Sequence, residues 1–271
     1  MFMIEKHKKF RDEMRELLIL RNEPIALTMI EDTAMVPEGV IVPVRDMGKH
    51  IALCQAFGMV RRDRKKIYMD KMSEWCWAPL VGFGFVESTE GTEAFETLSR
   101  LIGIPDPEAA REFFRRFPRL PYGKYAGILL SPLGTLDVEP DLVMIYCNNA
   151  QLRHLVWAVK NTTGQLVSTV LDAIDSCCFS TVPILETGEY RVTLPDMGEH
   201  ERAAADENEI ILTVPGHHLE ELMKGLHAIH DRNMGYARLT RDMPLEFPRP
   251  PFYNDMFKMW GLEQGEDWKR S

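Results

Sequence analysis

Apolar positions recur along this chain with two periods, and the change of period divides it into elements. Phe10, Met14, Leu17 and Leu18 return every three or four residues, which predicts an amphipathic helix over roughly residues 2–20. Glu23-Pro24 stops that helix, and Ile25–Ile30 reads as a strand. Val40–Val44 is a short β-type run that Pro43 confines to a sheet edge or a strand end. Asp46 is placed to cap a helix running to about Val60, with His50, Cys54 and Phe57 along one side. The basic run Arg61–Lys66 then falls where cations favour the negative end of the helix dipole.

Ile67–Asp70 reads as a strand, followed by Trp75-Cys76-Trp77-Ala78-Pro79 and the glycine-spaced stretch Val81-Gly82-Phe83-Gly84-Phe85. Two helices are predicted next, one through Phe95, Leu98 and Ile102, the other opened by Pro105-Asp106-Pro107 and carrying Ala110, Phe113, Phe114 and Phe117. Tyr125–Leu130 and Asp141–Cys147 are apolar and partly β-branched, hence strands. Asn148 or Asn149 can cap a helix whose buried stripe is Leu152, Leu155, Val156 and Val159. Residues 165–185, with Cys177-Cys178, form a helix or a strand and helix. Tyr190–Leu194 and Glu209–Val214 read as strands joined by a polar, charged loop, Asp196–Asn208. Pro215-Gly216 opens a helix that turns Leu219, Leu222, Met223 and Leu226 inward.

The pattern changes after Met243. Pro244, Pro248, Pro250 and Pro251 alternate with Phe247, Phe252, Tyr253, Phe257 and Trp260, too aromatic for a disordered tail. The expectation is one α+β domain over 1–242, a mixed sheet of short strands with packed helices, and an extended aromatic and proline-rich arm over 243–271. That arm would pack on the body or on a neighbouring subunit, which makes a homo-oligomer one outcome.

Composition narrows the function classes. With 271 residues, 45% apolar, the chain has enough material for a large core. A net charge of −9 opposes sequence-independent nucleic-acid binding, which needs a basic face. It also predicts poor affinity for anionic membranes. No apolar run reaches the roughly 18 residues of a spanning helix. Met1–Leu20 is charged throughout and lacks the apolar core of a signal peptide, so a cytoplasmic location is expected. Five scattered cysteines in that setting argue against a disulfide framework. The standard nucleotide and hydrolase motifs are missing: Gly82-Phe83-Gly84 lacks the third glycine of a dinucleotide fingerprint, and neither G-x-x-x-x-G-K-[ST] nor G-x-S-x-G occurs.

Several segments taken in order resemble a bacterial and archaeal family, domain of unknown function 169. They are Leu17-Leu18 with Glu23-Pro24-Ile25-Ala26-Leu27, Cys54-Gln55-Ala56, Cys76 and the small and apolar residues up to Gly84, Pro140–Tyr146 with Asn149, Ala150 and Gln151, and Glu209–Pro215 with Glu221 and Gly225-Leu226. The resemblance spans most of residues 10–230 and implies an α+β fold without an established reaction. It singles out Cys54, Cys76 and Cys178 among the five cysteines. It also implies a Cys-Gly and an arginine in the hairpin after Cys178, where this chain has Leu194–Arg202 and keeps only the glycine and arginine character.

Thiolates are soft ligands suited to zinc or an iron–sulfur cluster. Cys54, Cys76 and Cys178 are therefore candidate metal ligands, with His50, four residues before Cys54, as a mixed-ligand partner. Against this stands the ordinary burial of free cysteine as a small hydrophobe and the absence of any CxxC pair. Cys177 is expected to point away from its neighbour. Cys54, in the middle of the predicted helix, gets little help from the helix dipole. Trp75 and Trp77, on one face of an extended segment with Cys76 opposite, suit the wall of a pocket or simple packing. His217, His218, His227 and His230 fit a surface helix end; Glu199, His200 and Glu201 could offer ligands or acid/base groups, against the simpler reading of a charged hairpin loop. Asn148, Asn149 and Gln151 follow a strand end, a common ligand position.

Two functions follow as expectations. One is an enzyme or redox protein, of lyase or oxidoreductase type, with a Cys-ligated metal or iron–sulfur centre acting on a small organic substrate that Arg202 or Asn149 orients. The other is a non-catalytic small-molecule or cofactor-binding protein in which the cysteines are packing. A reactive thiol at Cys76 is a third, without an evident partner base.

Overall fold

Six strands of three to six residues form one sheet: β1 (Ile25–Ile30), β2 (Ile67–Asp70), β3 (Gly127–Pro132), β4 (Leu142–Cys147), β5 (Arg191–Thr193) and β6 (Ile210–Pro215). The computed structural model describes residues 3–87, 103–236 and 251–262. The strand order is β2-β3-β1-β4-β6-β5, and every ladder between these strands is antiparallel. The parallel pairing of a mixed sheet is reduced to two isolated bridges, Ile41 with Ile67 and Ile51 with Glu74. The expected α+β class stands.

Helices cover both faces of the sheet, and the strand alternation decides which residues meet them. β4 is buried along its whole length. Its Leu142, Met144 and Tyr146 join Leu27, Ile67, Ile128 and Ile211 on one face, while Val143, Ile145 and Cys147 join Leu212 and Val214 on the other. The second face carries α1 (Met3–Leu18), α5 (Asn149–Thr163) and α9 (Leu219–Asp231), which contribute Met14, Leu155, Leu222 and Leu226. Gly225 lets α9 come close to α5: a Cβ there would lie 2.3 Å from the Ala158 carbonyl oxygen.

The first face carries α2 (Leu53–Asp63), α3 (Trp77–Gly82), α4 (Pro107–Arg116), α6 (Ser176–Phe179) and α7 (Val182–Thr187). A further helix, α8 (Met197–Ala203), packs against α2 and occupies the segment read as a loop. Asp196 caps it by accepting the Glu199 amide at 2.8 Å.

Two local expectations are overturned. Asp46 does not start a helix to Val60. It sits in a π-helical turn, Pro43–Met47, where its carboxylate accepts the Val42 amide at 2.7 Å, and Gly48 in the left-handed region ends the turn. Helix α2 starts only at Leu53. Trp75 and Trp77 do not alternate across an extended segment, because Cys76 is the N-cap of α3 and Trp77 its first residue.

The contacts of the chain divide it into two units, Met1–Tyr236 and Ala237–Ser271. In the second, Pro251–Met259 is a helix (α10) where an extended arm was expected. Proline at the first helical position removes no intrahelical bond, and no other proline follows before Met259. The expected helix through Phe95 and Ile102 and the proline-rich residues 243–250 lie outside the described residues. None of the described helices is long and apolar enough to cross a membrane.

Candidate functional site

Four helix starts meet around one cavity of about 270 Å³. Its walls are Ala52, Leu53 and Cys54 at the start of α2, Trp75 to Pro79 at the start of α3, Ile174, Asp175 and Cys177 around the start of α6, and Asp196, Met197, Gly198 and Arg202 from α8.

Two buried carboxylates hold these segments together. Glu74 accepts the Trp75 amide at 3.0 Å and the Cys76 amide at 2.8 Å, and the Leu53 amide also stabilises its charge. Asp196 takes the Ser176 amide at 2.9 Å with one oxygen and the Glu199 amide with the other. Behind the wall, Glu199 is fully enclosed. Its two oxygens accept the Ser176 and Tyr146 hydroxyls, each at 2.7 Å. Arg61 stacks 4.2 Å above the Tyr146 ring, pairs with Glu209 at 3.0 Å and donates to the Ala203 carbonyl.

Burial shifts several acids and thiols of this region toward their protonated forms, because charge is disfavoured out of water. It raises Glu74, Asp175 and Glu199 each to about 7. For Asp175, the charges of Asp172 and Asp196 add to the effect. For Glu199, its two hydroxyl partners oppose it. Burial raises Cys54 to about 12, with Glu199 and Asp196 adding and Arg202 opposing. It raises Cys76 to about 11, with the Ala78 amide opposing. The hydrogen bond to Cys178 comes first in holding Cys177 well above the usual thiol range, and burial raises Cys178. The cavity is thus walled by neutral thiols and by Asp175, whose acid form burial favours, with Arg202 at its rim. Glu74 Oε2 and Asp175 Oδ2 are buried without a hydrogen-bond partner.

Several of the residues expected at a site meet here. Cys54 and Cys76 line the cavity and pack in one small cluster with Ala52 and Ala203. Cys54 is the second residue of α2 rather than a mid-helix residue, since the helix starts later than the pattern suggested. Trp75 lines the mouth and is 72% exposed, whereas Trp77 lines the wall and packs on Phe114 and Phe117 at 5.6 and 5.2 Å between ring centres. Arg202 lines the rim: a Cβ at Gly198 would sit 3.9 Å from Cys54 Sγ and 4.0 Å from Arg202 Nη1.

Others do not meet there. Cys178 lies behind the wall, its sulfur 2.7 Å from where a Cβ at Gly82 would stand, and Cys177 lines the cavity in its place. The short α6 turns successive residues through about 100°, so neighbours face differently. His50 is exposed and precedes α2, so the four-residue helical relation to Cys54 does not exist. Its ring lies 4.9 Å from Trp75 and its Nδ1 2.7 Å from the Met72 carbonyl. Asn149 is exposed at the start of α5 and is not a cavity wall. Its polar turn is explained by capping: Asn148 and Gln151 bond each other's amides, and the Gln151 side chain also donates to the Leu18 carbonyl. Among the described residues, no group of three His, Cys, Asp or Glu side chains is placed to hold a metal ion.

Asp175 and Asp196 were not foreseen as site residues, and Glu199, weighed as a ligand or acid/base group, was expected in a charged loop rather than buried in a helix. The spacing Asp196-x-x-Glu199 is a helix-start signature that identifies α8, and with it the side on which Glu199 and Arg202 fall.

No curated protein and no solved structure matches the chain. The model of domain of unknown function family 169, described as an uncharacterised ArCR, matches residues 13–225. The chain belongs to that family.

Proposed function

We propose that the cysteine-walled cavity is the working site, and that this family member is an enzyme or redox protein acting on a small organic molecule there. In this reading Cys54, Cys76 and the Cys177-Cys178 pair supply thiolates to a soft metal ion or an iron–sulfur cluster, and Arg202 orients an acidic group of the substrate. The observation that carries it is the arrival of cysteines from three separate segments at one cavity. The donor chemistry suits zinc or iron, which bind sulfur and hold it deprotonated. When bound, such a centre would supply Lewis acidity or electron transfer. The chain's own residues would do the rest: Trp77 and Met197 exclude water, Arg202 binds an anion, and Asp175 holds a proton at the wall.

A second reading is a metal-free cavity that binds a small molecule without transforming it. It is favoured by the neutral state of the thiols and by the lack of a ready group of three ligands among the described residues. In both readings the partner is a small molecule, the setting is the cytoplasm, and nucleic acid is not bound. The aromatic segment after Met243 is offered as a contact for a second copy of the chain.

Purification without oxygen, with iron, sulfide and zinc analysis, separates the two. The first reading expects bound metal that falls in each of Cys54→Ser, Cys76→Ser and Cys178→Ser. Metal-free protein that keeps its fold after chelation leaves the second reading. Bound metal unaffected by all three changes places the centre elsewhere.

A further inference from the structure

Among the described residues that wall the cavity, Arg202 is the cation, and neither acid is open to a ligand's positive charge. Arg202 is exposed at the rim, and among the described residues no hydrogen bond or ion pair engages its guanidinium. Asp196 already gives its two oxygens to the Ser176 and Glu199 amides. Asp175 is 3% exposed, and its Oδ2 is closed off from solvent. Beside the cysteines, Leu53, Trp77, Pro79, Ile174 and Met197 make the wall largely apolar.

A free guanidinium at a cavity mouth is an anchor for a carboxylate. From the point that a Cβ at Gly198 would occupy, Arg202 Nη1 is 4.0 Å away and Cys54 Sγ 3.9 Å away, so the two atoms are at most about 8 Å apart. A carboxylate held on the cavity side of the guanidinium, at a hydrogen-bond length of about 2.9 Å, spans most of that gap and lies against the Cys54 sulfur. The rest of the ligand then meets the apolar wall. A second carboxylate would face Asp196, and an ammonium would lose water without gaining an open acid. These walls therefore suit one negative end and an otherwise neutral, apolar body. The volume, about 270 Å³, lies near the small end of ligand sites and is too small for a nucleotide.

We propose that the cavity binds a small apolar monocarboxylate, its carboxylate on Arg202 beside Cys54 and its hydrocarbon body against Trp77, Pro79, Ile174 and Met197. This names a ligand class for the same site, so it rests on the reading that the cavity is the working site, but not on the presence of a metal. Arg202 selects the ligand's charge, and the apolar wall selects its size.

The test is calorimetric titration of the full chain at neutral pH, as purified without oxygen and again after chelation, with acetate, butanoate and 4-methylpentanoate. The last is compared with 4-methylpentanamide, which removes the charge, with leucine, which adds an ammonium, and with 2-methylpentanedioate, which adds a second carboxylate. Affinity should rise along the acids by about three- to fourfold per buried methylene. The amide, leucine and the dianion should each bind about tenfold or more weakly than 4-methylpentanoate. Arg202→Gln should bring the acid down to the affinity of the amide and leave the amide unchanged, and Arg202→Lys should keep part of the preference. Circular dichroism confirms that both variants are folded. No binding by any acid, an acid no tighter than its amide, leucine or the dianion binding as tightly as the acid, or an unchanged acid affinity in folded Arg202→Gln overturns the proposal. Acid binding by a protein that holds no metal as purified would remove the metal reading and leave this one standing. Bound metal that falls in the cysteine variants, with no acid binding, would do the reverse.

Discussion

Glu199 ties the cysteine turn to α8, and its environment makes a specific claim about stability and pH. The carboxyl accepts the Ser176 and Tyr146 hydroxyls inside the protein and is held protonated up to about 7, against 4.5 for a free glutamate. Below pH 4.5 the folded and unfolded chains both carry this proton, and the group adds no pH dependence. From pH 4.5 to about 7 the unfolded chain releases the proton while the folded chain keeps it, so each pH step favours unfolding by about 1.4 kcal/mol. The total loss is about 3 kcal/mol, complete above pH 7. Glu199→Gln keeps the shape and one acceptor but does not ionise. Urea unfolding of both proteins at intervals from pH 4.5 to 8 measures the difference. The gap should move by about 3 kcal/mol in favour of the variant as the pH rises. Glu74 and Asp175 also titrate, but they are present in both proteins and cancel. A gap that stays constant, or that moves the other way, refutes the claim that Glu199 is folded in its acid form.

Three further substitutions test the packing that positions the site. Gly225→Ala places a Cβ 2.3 Å from a backbone carbonyl that cannot swing away, and should destabilise by about 1–3 kcal/mol in chemical denaturation. Arg61→Met removes the cation paired with Glu209, which keeps the Asn22 side chain and the Asp206 amide as donors, and should cost about 3 kcal/mol, whereas Arg61→Met with Glu209→Gln should recover much of it, as a double-mutant cycle would measure. Asn148→Ala removes the N-cap of α5 and should cost about 1 kcal/mol, with little change at the cavity.

Where a local pattern determined an element, the sequence was sufficient. β1 and β2 lie where their apolar runs predict, and α9 buries Leu219, Leu222, Met223 and Leu226 as expected. The same holds for α5, whose Asn148 cap and buried Leu155 and Val159 follow from spacing alone. The site was legible only in part. Cys54, Cys76, Trp75, Trp77 and Arg202 were identified as candidates, yet their convergence depends on long-range pairing that periodicity does not encode. His50 was misplaced because Asp46, a good helix cap by type, turns back to its own Val42 amide, and Gly48 breaks the chain before Cys54. Cys177 and Cys178 exchanged places because a four-residue helix offers no periodicity from which to read a face. The charged stretch after Leu194 looked like solvent-facing loop, since acidic residues are seldom fully buried. Asp196 and Glu199 are exceptions, held by amides and hydroxyls that include groups distant in sequence.

The central claim is that the cavity between Cys54, Cys76, Cys177 and Arg202 is where this protein works. A crystal structure of protein purified without oxygen, with anomalous data for iron and zinc, tests it most directly. The account predicts a bound group in that cavity, touching at least one of the thiols or the Arg202 guanidinium. A cavity holding only water, with a metal or small molecule bound at another place on the chain, would contradict it.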